Sequence, residues 1–289
     1  MRHIFIINPI SGAGRGKKIG ENIEKIAPEL GINYVIHYTT RGHEATEIAK
    51  RYKKEKDGII YSVGGDGTLL EVLNGMIDSK NMLAVIPAGS GNDFYKSIKD
   101  REDMSFPVDV GKVNDLYFLN CCSFGIDAEI GHNAGLMKEK HIPRSQIYNA
   151  SIAYTFVKYK FKEVEFTLNG ATKSGEYTIV TIMNGKTYGG GWTMAPNASV
   201  SDGLFDIYFV DRVKKASIPG LLLKVLKGTH EESPHVHHRQ ADRIKFKTTE
   251  KVIVGADGET LYDNEFDVKL LKHAITIYND KDLIKKFLD

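Results

Sequence analysis

Residues Ile60 to Gly75 read IYSVGGDGTLLEVLNG. The apolar run up to Val63 suits a buried strand, and Gly64, Gly65 and Gly67 then surround a single acid, Asp66. Beyond it Leu69, Leu70, Val72, Leu73 and Met76 recur at helical spacing, with Thr68 expected to cap that helix. A strand that turns on glycine straight into a helix is the repeating unit of open α/β sheets, whose ligands gather outside the carboxyl ends of the strands.

The same rhythm extends on both sides. IFII, INYVIHY, GIIYSVG and MLAVIP read as strands, and the stripes Ile19/Ile23/Ile26/Leu30 and Ala45/Ile48/Ala49/Tyr52 read as helices between them. Residues 1–112 are therefore expected to form a nucleotide-binding α/β domain with a mainly parallel sheet. From 113 to 279 the texture changes to strands with Gly and Asn turns, interrupted by helical stretches near 127–160 and 214–227, which predicts a C-terminal antiparallel β-sandwich domain. A last helix over 280–289 is expected to pack back onto the first domain.

Three loops then fall at one sheet edge. NPISGAGRGKK (8–18) lets backbone N–H groups approach an anion at a helix start, with Arg15, Lys17 and Lys18 adding charge; it lacks the spacing of both GxxxxGK[ST] and GxGxxG. In GGDGT the acid would repel a phosphate unless a cation intervenes, and Mg²⁺ with its water shell suits one carboxylate plus phosphates. PAGSGNDFYKS (87–97) offers Ser90 and Asn92 as neutral hydrogen-bonding groups and Asp93 as a cap for a helix from Phe94. Together the three describe a nucleoside triphosphate site.

Composition sets limits on the partner. The 289 residues carry 39 Lys and Arg against 37 Asp and Glu, a balance that argues against a nucleic-acid protein. No segment reaches the roughly 18 unbroken apolar residues of a membrane span, and the apolar start is interrupted by Asn8 and Pro9, unlike a signal peptide. The two cysteines, Cys121 and Cys122, are adjacent and suit a reducing compartment. A cytoplasmic protein that visits the membrane surface is expected, and an unlocated strand edge in the second domain leaves room for a homodimer.

These loops, with PNASVSDGLFD and DGE downstream, resemble the diacylglycerol kinase catalytic domain, shared by bacterial diacylglycerol kinases and by lipid kinase and sphingosine kinase relatives. The motifs occur in family order from residue 8 to residue 259. The resemblance implies an ATP- and Mg²⁺-dependent kinase acting on a lipid hydroxyl at a membrane surface, most simply diacylglycerol. It implies that Asn8, Pro9, Ile10, Ser11 and Gly12 line the nucleotide, as do Gly64, Gly65, Asp66, Gly67, Thr68, Leu69 and Leu70. Ser90 stands where the family often has a threonine, and either Thr39 or Thr40 is a further contact, with spacing on the side of Thr39. Glu259 takes the role of general base and Asp66 that of Mg²⁺ and water organiser, since phosphoryl transfer to an alcohol needs a carboxylate within reach of the hydroxyl proton.

A structural Mg²⁺ is implied at Ser199, Asp202 and the Leu204 carbonyl, with Asp206 as an alternative ligand, although a tight Asp-Gly turn explains the same residues. Arg15 and Lys17 are the expected interfacial contacts. On the acceptor side Ile147, Ile152, Tyr154, Phe156 and Tyr159 fit either a lipid entrance or an ordinary packed helix, with Lys138, Lys140 and Arg144 beside them. The histidines His230, His235, His237 and His238 form no recognisable ligand set. The competing readings are an NAD kinase, which shares GGDGT, and a catalytically silent nucleotide-binding protein on the same fold.

Overall fold

The computed structural model describes residues 1–138 and 144–289. Strands β1 (Arg2–Ile7), β2 (Tyr34–Tyr38), β3 (Gly58–Gly64) and β4 (Met82–Pro87) alternate with helices α1 (Ser11–Glu29), α2 (Glu44–Tyr52), α3 (Asp66–Met76) and α4 (Asp93–Ile98). The four strands pair in parallel in the order β2-β1-β3-β4. Alternate strand residues feed two separate cores. Ile4, Ile6, Ile60 and Leu83 pack with α2 and α3, while Phe5, Ile7, Tyr61 and Ile86 pack with α1 and with α8 (Lys281–Leu288). Phe287 of α8 meets the Phe5 ring edge-on at 5.4 Å. The last eight-residue helix thus completes a core begun by the first strand.

The rest of the chain adds β5 (Ser105–Val113), β6 (Leu116–Phe118), β7 (Cys121–Gly125), α5 (Ile126–Lys138), α6 (Arg144–Lys158), β8 (Glu163–Leu168) and β9 (Ala171–Met183). It continues through the short β10 (Thr187–Tyr188) and β11 (Trp192–Thr193), β12 (Phe205–Asp211), α7 (Ile218–Lys227), β13 (Val236–Ala241), β14 (Arg243–Ala256) and β15 (Glu259–Tyr278). Apart from the bridge from β15 to β4, these strands pair antiparallel. Long strands change partners along their length: β9 pairs first with β8 and then with β7 and β12, and β14 leaves β8 for β7. This exchange folds the sheet over a shared core containing Phe118, Phe166, Ile207, Phe246 and Val268, giving the antiparallel sandwich. The end of β15 runs beside β4, with Ile277 opposite Leu83, so one ladder joins the two halves.

Two local expectations need correction. The run LYFLNCCSFGI is not one strand, because it breaks at Leu119 and Asn120, whose N–H groups turn toward a side chain from β14's far end. Thr68 does not cap α3; Gly65 is the cap residue, and the buried Thr68 hydroxyl instead accepts from Asn8 Nδ2 at 3.2 Å. The side chains of Lys138, Lys140 and Arg144 lie outside the described residues.

Candidate active site

The three glycine loops interlock through their backbones. The Asn8 N–H donates to the Val63 carbonyl at 2.9 Å, and the N–H groups of Ala88 and Gly89 both donate to the Gly64 carbonyl, at 2.8 and 3.1 Å. A methyl group on Gly12 would lie 2.0 Å from the Ala88 oxygen, and one on Gly89 would lie 2.5 Å from the Gly65 Cα. Only hydrogen fits at these crossings. Gly12, Ala13 and Gly14 are all left-handed, so the helical path of α1 is broken there and its regular part follows the loop. Ile10, Arg15 and Lys17 are exposed on this loop, and Lys17 has Glu21 at 3.9 Å.

The loop side chains mostly hold the loops themselves. Asn92 accepts from the Gly89 N–H at 3.1 Å and donates to its carbonyl at 2.8 Å, so its amide shapes the third loop. Asp93 does not cap α4. Its carboxylate accepts from the Gly190 N–H at 2.7 Å and from Lys96 Nζ at 3.0 Å, while the Phe94 N–H approaches Asp66 Oδ1 at 3.4 Å. Thr39 sits at the sheet edge, its N–H on the Ile7 carbonyl at 2.8 Å, whereas the Thr40 hydroxyl and N–H are both taken by Glu44. Ser90 is exposed on the third loop.

A cavity of about 330 Å³ opens beside the second and third loops. Asp66, Asp93, Asp257 and Glu259 line it, and so do Ile126, Ile130, Ile152, Phe156, Trp192 and Leu222. Burial, and then the neighbouring Asp93, push the Asp66 carboxyl above the usual carboxylate range. Asp257 occupies a two-residue hairpin with Gly258, both left-handed, between Ala256 and the paired Glu259. Its carboxylate accepts from the N–H groups of Leu119 at 2.7 Å, Asn120 at 3.0 Å and Cys121 at 2.8 Å. Burial nonetheless raises it to about 6, the three amides pulling the other way. This clamp fixes the hairpin tip against β7 and so delivers the exposed Glu259 to the cavity.

Ser199, Asp202 and Leu204 do not line this cavity. They share a turn in which Asp202 Oδ1 accepts from the Leu204 N–H at 3.1 Å and the Gly203 N–H donates to the buried Asp109 at 2.7 Å. Burial raises the Asp202 carboxyl, and the nearby Asp206 and Asp109 raise it further, an excess of negative charge that a hard cation would offset. Asp206 Oδ1 is held by His238 at 2.7 Å and Gln240 at 3.1 Å. His237 pairs with Asp211 and His230 with the Met194 carbonyl, so the histidines are structural or solvated. Among the described residues no three His, Cys, Asp or Glu side chains gather as a bare metal site. Cys121 and Cys122 are free and buried, with thiols pushed up by burial.

Sequence reasoning treated Asp93 as a helix cap and Asp257 as a turn residue, and passed over Asp127. Their partners, Gly190 and Leu119–Cys121, stand roughly a hundred residues away in the chain, and only NDF and DGE hinted at them.

A parallel sheet edge of glycine loops facing a β-sandwich across an acid-lined cavity defines a two-domain phosphotransferase architecture. Residues 2–113 match the model of the diacylglycerol kinase catalytic domain, and residues 120–279 match that of the YegS C-terminal NAD kinase beta sandwich-like domain. The chain belongs to the diacylglycerol kinase catalytic-domain family of kinases. It is 29% identical over 285 residues to a diacylglycerol kinase of Bacillus subtilis, covering 93% of each chain, and 25% identical over 300 residues to one of Staphylococcus aureus, covering 98% of this chain and 94% of the other. A crystal structure of a Bacillus anthracis protein provisionally assigned as a diacylglycerol kinase superposes with a TM-score of 0.76 at 25% identity, over 97% of this chain and 96% of that one.

Proposed function

We propose that this protein transfers the γ-phosphate of ATP to a lipid hydroxyl, converting diacylglycerol to phosphatidic acid. The observation that carries the reading is a single cavity lined both by carboxyl groups, Asp66 of the second glycine loop among them, and by apolar side chains of α5, α6 and α7. The nucleotide phosphates lie along Asn8–Gly12 and Gly64–Leu70, with Thr39 and Ser90 at the margins. Glu259 accepts the proton of the acceptor hydroxyl as that oxygen bonds to the γ-phosphorus; the bond from phosphorus to the bridging oxygen breaks and ADP leaves. Asp66, with Asp93 beside it, holds the hydrated Mg²⁺, and the mutual repulsion that raises Asp66 suits a cation there. A Mg²⁺ held there would supply positive charge against the charge that develops on the transferring phosphoryl group. Ser199, Asp202 and the Leu204 carbonyl hold a second, structural Mg²⁺.

The lipid enters past α6 and α7, which supply Ile152, Phe156 and Leu222 to the cavity wall. The same two helices carry Tyr154, Val157, Leu223 and Leu226 exposed on their outer faces, with Lys158, Lys224 and Lys227 nearby. Such a patch suits shallow insertion into an anionic membrane surface, with each basic residue near it contributing about 1 kcal/mol. Among the described residues no helix is long and apolar enough to cross a membrane.

Labelled ATP offered with mixed micelles of diacylglycerol, or with NAD, tests the reading. Phosphatidic acid is the expected product; phosphorylated NAD would refute it. Glu259→Ala is expected to bind ATP as the parent does and to lose turnover, and turnover at the parent rate would refute the base assignment.

A further inference from the structure

Buried acids in this protein are otherwise provided for. Asp93 has Gly190 and Lys96, Asp109 has Gly203 and His273, Asp206 has His238 and Gln240, and Asp257 has three amides. Asp127 differs. Among the described residues, neither of its carboxyl oxygens has a partner that meets hydrogen-bond geometry, although the Ser123 hydroxyl and the Ala128 N–H lie near enough to act on it, and neither is reached by solvent. It is the second residue of α5, entered directly from β7, and it lines the same cavity as Asp66, Asp257 and Glu259 and as the apolar Ile126, Ile130 and Ile179. A carboxyl group left unpaired in such surroundings is costly, and its retention calls for a partner that arrives with a ligand.

We propose that Asp127 determines acceptor specificity by donating a hydrogen bond to an ester oxygen on the carbon beside the reacting hydroxyl, so that the site takes glycerolipids over lipid alcohols with a single oxygen. The proposal rests on reading the cavity as the acceptor site. Burial pushes the Asp127 carboxyl up to about 7, against the pull of the Ser123 hydroxyl and the Ala128 N–H, which keeps a donating proton available near neutrality. An ester oxygen can only accept, so an ordinary ionised aspartate would repel it. A single-oxygen alcohol would leave the buried acid unpaired, and sites built around a hydrogen bond discriminate strongly against ligands that lack it.

Trp192 makes binding measurable without catalysis, because it is the only tryptophan in the chain and lines the cavity. The full-length protein, Asp127→Leu and Asp127→Asn would be titrated with 1,2-dioctanoylglycerol and with a branched primary alcohol of matched chain length, following tryptophan emission. The parent is expected to favour the glycerolipid by about tenfold or more. Asp127→Asn, which keeps an N–H donor, is expected to retain most of that preference, and Asp127→Leu to reduce it below about threefold. Equal affinities in the parent, a full preference in the Leu variant, or its loss in the Asn variant would each overturn the proposal; the first and last need no Leu variant that folds. Tight, selective binding with no phosphate transfer would refute the kinase reading and leave this inference standing. No response to either lipid would overturn both.

Discussion

Asp257→Ala tests how the hairpin clamp positions Glu259, and its effect has opposing parts. The substitution removes the acceptor of three amides, at 2.7, 3.0 and 2.8 Å. At about 1.5 kcal/mol for each of the three hydrogen bonds, that loss is about 4.5 kcal/mol. It also relieves the cost of ionising a carboxyl whose folded-state value is about 6, against an ordinary value of 3.8. Because the folded value is raised, this group's contribution is fully present below the unfolded value and falls as pH climbs toward 6, by about 3 kcal/mol in all. The net destabilisation at pH 7 is then about 1.5 kcal/mol, and at pH 5 it is larger by about another 1 kcal/mol. Urea unfolding of parent and variant at the two pH values measures both figures. Turnover is expected to fall by about 10- to 100-fold, since a displacement of about 1 Å at a reacting group can cost that much. A greater destabilisation at pH 7 than at pH 5, or parent-like turnover, would refute the clamp.

Other consequences are simpler. Gly12→Ala places a methyl group 2.0 Å from the Ala88 oxygen at a φ of +57°, so the first and third loops must part; ATP affinity measured by calorimetry should fall at least about tenfold, with strain of about 1–3 kcal/mol in stability. Replacing both Leu223 and Leu226 by Ser removes two exposed leucines from α7 without disturbing its buried Ile218 and Val225. Sedimentation with anionic vesicles should weaken by about tenfold, while activity on micellar dioctanoylglycerol is retained; unchanged sedimentation would place the membrane contact elsewhere, with Arg15 and Lys17 the next residues to replace.

The amino-acid sequence by itself settled whatever depends on neighbours in the chain. The period-2 strands and 3.6-period helices of residues 3 to 112 predict the parallel sheet. The Asn169–Gly170 and Asp257–Gly258 pairs predict tight hairpins, because left-handed backbone at both central turn positions suits Asn, Asp and Gly. The glycines of the three loops were legible for the same reason, although not that each leaves room for another loop's backbone. The tertiary structure decided everything that depends on distant residues meeting. Asp257 reads as a solvated turn acid until β7 brings three amides to it, and Asp127 carries no local signal that it lines a cavity with Ile152, Ile179 and Trp192. Solvation and hydrogen bonding of a carboxyl group are set by what surrounds it in space, and around Asp257 that surrounding comes from a segment more than a hundred residues away.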